Sequence, residues 1–582
     1  MILSALASYY EQILSDHPDR IPAPGWCSRQ VKFILELSQD GELFNVIPSQ
    51  EKRGWEKTVP SQVKRSSGIV ANFLCDTSSY FLGVDAKGKP ERSMKCFEAA
   101  RALHTSLLSS VDSDCARAIV AFFDTWDPSS ALEHPAVMKA GDELLAGGNL
   151  AFACNCNGDY LEAVDDPAIR KAWVDKAREA QDDSFDMTCL VTGARGPVAR
   201  LHPAIKGVYG AQSMGASLVG FNAPAFESYG HEGEQGRNAP VSVDAAEAYG
   251  AALNYLLSDE KHHFRLGDTT IVFWSETCDD GNCDLMNELM GNVSLENRSS
   301  AKRDDVEKAL AGVLSALLHG KLPEIDGIDF GSTFYVLGIA PNAARLAVRF
   351  FMRDEFGSVL RNVARYYDET NVIHAPFEPE RLTPFIALKS LENGNSKTPV
   401  VSSQLSASFM RAVFEGGRYP DALYSNALLR MRATHKVGRS AAALIKAYLL
   451  RNAHYDKKEI TVELNRERNE VAYALGRAFS LYERIQSIAN GGNSNIAVRY
   501  INSACTTPAV VFPVLARLSE AHLAKIAKDK PGLAVVLRKD LCRIMDSVET
   551  YPVRMGLREQ GDFSLGYYHQ SQEHFASAGA NR

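Results

Sequence analysis

The sequence predicts an α+β protein: a mixed N-terminal region and middle α/β body, followed by a C-terminal helical bundle. Three observations point there. Short β-branched or aromatic runs bounded by turn residues alternate with helical-period segments up to about Pro384. A turn-rich stretch, "SLENGNSKTPVVSSQ" (390–404), then interrupts the pattern. Everything after it carries helical periodicity alone. At 582 residues, the chain exceeds one ordinary core, and about two to four domains are expected. The divisions read as 1–127 (N-terminal mixed region), 128–389 (middle body), 390–404 (linker) and 405–582 (bundle).

Each element has a local reason. Ile2, Leu6, Tyr9, Tyr10 and Ile13 recur at helical spacing and predict an opening amphipathic helix. With no basic leader, and with Glu11 and Asp16 close behind, this segment does not read as a signal peptide. Strands are expected at Val31–Leu37 and Phe44–Ile47, joined as a hairpin at Asp40-Gly41, with another at Phe73–Val84. A helix follows from Glu91 to Leu108. In the middle body, "NLAFACN", "MTCLVTG", "TTIVFWSE" and "TFYVLGIA" read as strands. "SVDAAEAYGAALNYLLSD" and "NAARLAVRFFMRDEFGSVLRNVARYYDE" read as helices. Beyond 404, Val471, Leu475, Phe479, Tyr482, Ile485 and Ile488 form one apolar stripe that Gly491-Gly492 ends. Pro508, Pro513 and Pro531 punctuate further helices.

Apolar residues make up 45% and charged residues 23%, a globular balance. No run reaches the roughly 18–20 apolar residues of a membrane span, so a cytoplasmic protein is expected. Eleven irregularly spaced cysteines suggest reduced thiols rather than a disulfide framework. The net charge of −8 is unevenly spread. Residues 187–226 hold no acid but carry Arg195, Arg200 and Lys206. Residues 422–455 hold none either, against Arg430, Arg432, Lys436, Arg439, Lys446 and Arg451. Around residues 51–65, Lys52, Arg53, Lys57, Lys64 and Arg65 outnumber Glu51 and Glu56. Such segments suit a polyanion, or are solvated faces.

Catalytic motifs are sparse. "KRSSG" and "GVYGAQSMGAS" lack the lysine and hydroxyl of a phosphate-binding P-loop, and neither a dinucleotide fingerprint nor a His-Glu-x-x-His motif occurs. "AQSMG" falls one residue short of a nucleophile elbow, leaving Ser213 with His202 or His231 as a hydrolase alternative beside a plain small-residue loop. Cys154, Cys156, Cys278 and Cys283 offer four thiolates at spacings unlike zinc knuckles, and buried free thiols are the plainer reading. No catalytic residue, metal or cofactor is assigned.

Longer blocks carry a resemblance. "MILSALASYYEQI", "VKRSSGIVANFLCDTSSYFLG", "CLVTGARGPVARLHPAIKGVYGAQSMGASLVGFNAPAFESYG", "NAPVSVDAAEAYGAALNYLL", "DTTIVFWSE", "FYVLGIAPNAARLAVRFF" and "NEVAYALGRAFSLYERIQ" together resemble the large subunit of the type I-C CRISPR interference complex (Cascade), over nearly the whole chain. The resemblance implies a non-catalytic role: recognising the short adjacent motif (PAM) in target duplex DNA, promoting R-loop formation and holding the displaced strand while guide pairing reads sequence. It implies partners as well, namely the CRISPR RNA-bearing backbone and cap subunits, a small subunit, and a helicase-nuclease that the subunit helps recruit. Residues 460–582 resemble the small subunit. An internal start near Ile460 or Val462 would need a non-ATG codon, because no methionine lies between Met431 and Met545.

By that resemblance, PAM recognition falls on "QVKRSSGIVANFLCD". Lys64 and Arg65 suit phosphates, Ser66, Ser67 and the Gly68 N–H add neutral donors, and the Asn72 amide suits base edges. A turn residue ahead of a strand is the alternative for Asn72. Gln212 and Ser213 come second, with Arg195, Arg200 and Lys206 on backbone. Arg430, Arg432, Lys436 and Arg439, at helical spacing, suit the displaced strand, or else form an exposed or protein-docked helix face.

Overall fold

The computed structural model describes residues 1–582 except 64, 66, 67, 157, 180–185, 228, 229, 232, 279, 292–299, 393–400 and 580–582. Most of the linker expected at 390–404 therefore lies outside the described residues. The chain forms two compact units, one of residues 1–205 and 217–255, the other of 206–216 and 256–582. The fold is α+β.

The first unit opens with the amphipathic helix Ile2–Asp16, whose Leu6, Tyr9, Tyr10 and Ile13 are buried. Its sheet is organised by the long strand Trp26–Ser38. The first half of that strand pairs antiparallel with Trp55–Pro60 and the second half with Leu43–Pro48, through the expected hairpin. On its other side runs the parallel strand Asn149–Cys156, which also pairs with Cys75–Asp76 and Asp159–Glu162. Helices Pro90–Leu108 and Asp114–Thr125 complete the layer. The core is aromatic: Phe81 lies 4.5 Å from Phe152, and Phe123 lies 4.8 Å from the buried imidazole of His104. The expected strand Phe73–Val84 is corrected. Only Cys75–Asp76 is extended in a sheet, and Ser78–Phe81 is a helical turn. The break falls at Leu74, whose left-handed φ of 55° interrupts a ladder.

In the second unit, His263–Leu266, Thr269–Ser275, Thr333–Asn342 and Arg345–Glu355 form an antiparallel meander. All seven residues of Thr269–Ser275 are buried, as a central strand requires. The helix expected to begin before Arg345 is a second correction. Arg345–Glu355 is a strand, and only Phe356–Thr370 is helical. Leu346, Phe350 and Met352 are buried between more exposed neighbours, a period of two that the basic residues obscure.

The bundle includes Ser403–Glu415, Asp421–Thr434, Arg439–Asn452, Val471–Ala489 and Leu557–Gly579. The last two approach closely through glycines. A Cβ on Gly476 would sit 2.0 Å from the Phe563 carbonyl oxygen, and one on Gly566 would sit 2.1 Å from that of Tyr473. Only hydrogen at both positions permits this crossing. Pro508 and Pro531 start helices, whereas Pro513 lies inside Pro508–Asp529.

Two buried ion pairs lock the unit. Arg451 Nε donates to Glu369 Oε2 at 2.8 Å, and Tyr419 Oη donates to the same oxygen at 2.9 Å. Arg468 pairs with Asp562 at 2.5 Å, supported by Tyr455 Oη at 3.0 Å. Lys446 is also internal, donating to the Asn371 carbonyl at 2.6 Å, and burial lowers its pKa to about 8. Lys446 and Arg451 thus belong to the core rather than to a basic surface.

Cys115 and Cys154 form a disulfide with Cα atoms 5.4 Å apart, a single bridge rather than a framework; the other nine cysteines are free. Cys154 is thereby withdrawn from any thiolate cluster. Among the described residues no group of three or more His, Cys, Asp or Glu is placed to hold a metal. Among them, too, no helix is long and apolar enough to cross a membrane.

Removing the Glu369 carboxylate strands Arg451 in the core. Glu369→Ala is expected to destabilise the second unit by about 3–5 kcal/mol in chemical denaturation. Arg466→Ala, which breaks the exposed pair with Glu573, is expected to cost no more than about 1 kcal/mol. Equal effects would contradict a locking role for the buried pair.

Candidate nucleic-acid interface

The stretch singled out in the sequence is a loop between the strands Trp55–Pro60 and Cys75–Asp76, closed by its own side chains. At its base, Gln62 Nε2 donates to the Cys75 carbonyl at 2.8 Å. Asn72 Nδ2 donates to Gln62 Oε1 at 3.1 Å, and Asn72 Oδ1 accepts from the Val63 N–H at 2.9 Å. Asn72 is 6% exposed, so its amide serves loop closure and does not face solvent.

A second closure centres on Asp76, 2% exposed. Oδ1 accepts from Arg65 Nη1 at 2.9 Å and from the Thr77 N–H at 2.8 Å. Oδ2 accepts from Arg65 Nη2 and from the Asn72 N–H, the latter at 2.9 Å. Burial raises the Asp76 pKa above the ordinary carboxylate value, against the opposing pull of Arg65 and the two backbone N–H groups. Burial also works against the Arg65 charge, but its hydrogen bonds to Asp76 leave its pKa above the ordinary arginine value. The guanidinium lies 4.0 Å from the centre of the Tyr80 ring. Arg65 is therefore committed within the protein.

His104 supports the far end. Its Nδ1–H donates to the Ala100 carbonyl at 2.7 Å, which leaves Nε2 to accept from the Leu74 N–H at 3.0 Å and hold the left-handed turn. Phe73 stacks on Trp173 with centroids 5.3 Å apart. Between these anchors the loop faces outward. Val63 and Val70 are 52% and 44% exposed, and nothing lies within 4 Å of the space a Gly68 side chain would occupy. Lys64, Ser66 and Ser67 lie outside the described residues.

The secondary residues fall in both units. Arg195, on the short ribbon Asp186–Thr188 and Arg195–Pro197, and Arg200 are exposed in the first. In the second, Lys206, Gln212 and Ser213 are exposed, the last two in a turn closed by the Gly215 N–H on the Gln212 carbonyl at 2.8 Å. Tyr209, half exposed, carries Arg265 over its ring at 3.1 Å. The histidines weighed beside Ser213 have other partners: His202 Nδ1 meets Tyr249 Oη at 2.6 Å, and His231 Nδ1 meets Glu234 Oε2 at 2.6 Å. Farther along, Arg432 turns to Gln560, while Arg430, Lys436 and Arg439 line one cavity.

The chain matches the model of the family CRISPR-associated protein (Cas_Csd1) over residues 6–575. It belongs to that family. No curated protein matches it. Membership in Cas_Csd1 makes it a CRISPR-associated, Cascade-type protein and gives a multi-subunit context to the loop and to the exposed basic residues.

Gln62, Asp76 and His104 went unrecognised in the sequence. Asp76 left one signal, an acid ending an otherwise basic stretch. His104, in mid-helix, left none, since its target lies 30 residues upstream.

Burial lowers the His104 pKa to about 4, below the ordinary 6.5. The folded state therefore binds fewer protons than the unfolded chain. The stability His104 contributes is complete above about pH 6.5 and is lost as pH falls toward 4. Hydrogen-exchange protection at Leu74, corrected for intrinsic rates, is expected to drop by about 2 kcal/mol between pH 7 and pH 5. His104→Gln should flatten that dependence, and an unchanged slope would show that His104 does not hold the turn.

Proposed function

We propose that this chain is the non-catalytic large subunit of a type I-C CRISPR RNA-guided surveillance complex, and that it contacts the PAM of target duplex DNA through the loop 62–76. One observation carries the reading: a loop pinned at both ends by buried polar contacts, with Val63, Gly68 and Val70 exposed between them. Pinning the two ends reduces the conformational entropy lost when the loop enters a groove. Lys64 supplies a cation for a phosphate, and Ser66, Ser67 and the Gly68 N–H supply neutral donors. Asn72 and Arg65 act as positioning residues that set the loop's shape. Arg195, Arg200 and Lys206 add backbone contacts, with Gln212 and Ser213 as further polar contacts.

In this reading the protein helps open the duplex beside the PAM, holds the displaced strand and helps recruit the helicase-nuclease, while sequence is read by the guide. Its partners are the CRISPR RNA-bearing backbone and cap subunits and the small subunit. At a net charge of −8 the isolated chain is expected to bind DNA weakly, with the complex supplying the rest of the binding surface.

The test uses the assembled complex. Lys64→Ala combined with Ser66→Ala and Ser67→Ala should weaken binding to PAM-bearing duplex by about tenfold or more. It should leave binding to a pre-opened target nearly intact, and loss of one phosphate contact should lower the salt slope by about 1. Equal loss on duplex and pre-opened target would overturn the PAM role.

A further inference from the structure

In the second unit, residues 371–383 link the helix Phe356–Thr370 to the short helix Pro384–Lys389, and this link is held from both sides. The Ile373 N–H donates to the Val462 carbonyl at 2.9 Å, and the Ile373 carbonyl accepts from Tyr568 Oη at 2.6 Å. Farther along, Arg439 donates from Nη1 to the Pro379 carbonyl and from Nη2 to that of Glu380 at 2.9 Å. Arg381 donates to Glu307 at 2.8 and 2.9 Å, and the Leu382 carbonyl accepts from Tyr366 Oη at 2.9 Å. Val372, Ala375 and Leu382 are buried.

Between these anchors the chain makes a tight turn. The Glu378 N–H donates to the Ala375 carbonyl at 3.0 Å, and Glu378 Oε2 accepts from the Ala375 N–H at 3.2 Å. Pro376 takes the second position of the turn, which its fixed φ suits. Phe377 takes the third and is 87% exposed. An exposed aromatic side chain is ordinary by itself. What sets Phe377 apart is its display: the ring faces solvent from a backbone hydrogen-bonded on both sides. Little backbone entropy is lost when a ring so presented enters a pocket, and aromatic rings are the usual anchors of protein interfaces.

Charge decides the class of partner. Residues 371–380 carry Glu378 and Glu380 but no lysine or arginine, and the Glu380 side chain is 75% exposed. The nearby arginines are engaged, Arg381 by Glu307 and Arg439 by carbonyls of the link itself. A base stacked on Phe377 would bring its phosphates toward two carboxylates, which repel them. A protein surface carries no such penalty. The Cascade-type family supplies the context of a multi-subunit complex.

We propose that the turn 375–378 is a docking element for another protein subunit of the complex. Phe377 enters an apolar pocket on that subunit, and Glu380 meets a basic side chain at the rim of the pocket. Pro376 and the reciprocal hydrogen bonds of Ala375 and Glu378 present the ring. The element does not depend on the loop 62–76.

The test places a benzophenone side chain at position 377 of the full chain in the assembled complex. Irradiation is expected to give an adduct with one protein subunit. Phe377→Ala should raise the concentration at which the full chain leaves the complex by about tenfold or more, whereas Phe377→Tyr should keep most of the affinity. Glu380→Lys should raise it by about threefold or more, an effect that fades as salt increases. Thermal unfolding of the full chain should be unchanged in each variant, because both side chains are exposed. Affinity unaltered by Phe377→Ala or by Glu380→Lys would overturn the proposal, as would the absence of any adduct. An adduct with RNA or DNA would make Phe377 a base-stacking residue and overturn it equally.

Discussion

The geometry of the candidate interface depends on one buried carboxylate. Asp76 is nearly inaccessible and accepts four hydrogen bonds, two from Arg65 and one each from the Asn72 and Thr77 N–H groups. A carboxylate out of water is tolerated only with such complete compensation. The compensation folds the chain back on itself, because its donors come from both sides of the loop. Asp76 is also anchored in the sheet, opposite Leu150 of the central strand. The closing end of the loop is thus fastened to the sheet of the first unit.

The same principle organises the second unit. Glu369 and Asp562 are buried acids whose arginine partners, Arg451 and Arg468, lie 82 and 94 residues away in the chain. This explains why the acid-free run 422–455 misleads as a basic surface. Arg451 has its acid, supplied by the distant helix Phe356–Thr370, and Lys446 rests on carbonyl oxygens of residues near the end of that helix. A charge count along the sequence sees neither. What remains of the run at the surface gathers with Arg381, from outside it, around a cavity.

Much of the fold was legible. The opening helix, the hairpin at Asp40-Gly41, the buried strand Thr269–Ser275 and the bundle all follow from periodicity and turn residues. Three elements were not: "MTCLVTG" is extended only as far as Thr188, and two others need tertiary context. Arg345–Glu355 alternates with period two, yet its basic and apolar residues also fit a helical stripe, and only pairing with Thr333–Asn342 decides between them. The strand expected from Phe73 onward fails because Leu74 is held left-handed by His104, a tertiary contact with no local trace. At the interface the position of the loop was legible, but its closure was not. Asn72 looked like a free amide because Gln62 and Val63, which occupy it, were visible only as neighbours. The family match over residues 6–575 agrees with the resemblance carried by the long sequence blocks.

In the proposed role the loop 62–76 meets duplex DNA beside the guide-matched segment. A photo-crosslinking residue at position 70, where Val70 is exposed, tests it most directly in the assembled complex on target DNA. An adduct confined to the PAM duplex, abolished when the PAM is mutated, is expected. An adduct on the guide-paired region, or no DNA adduct at all, would contradict it.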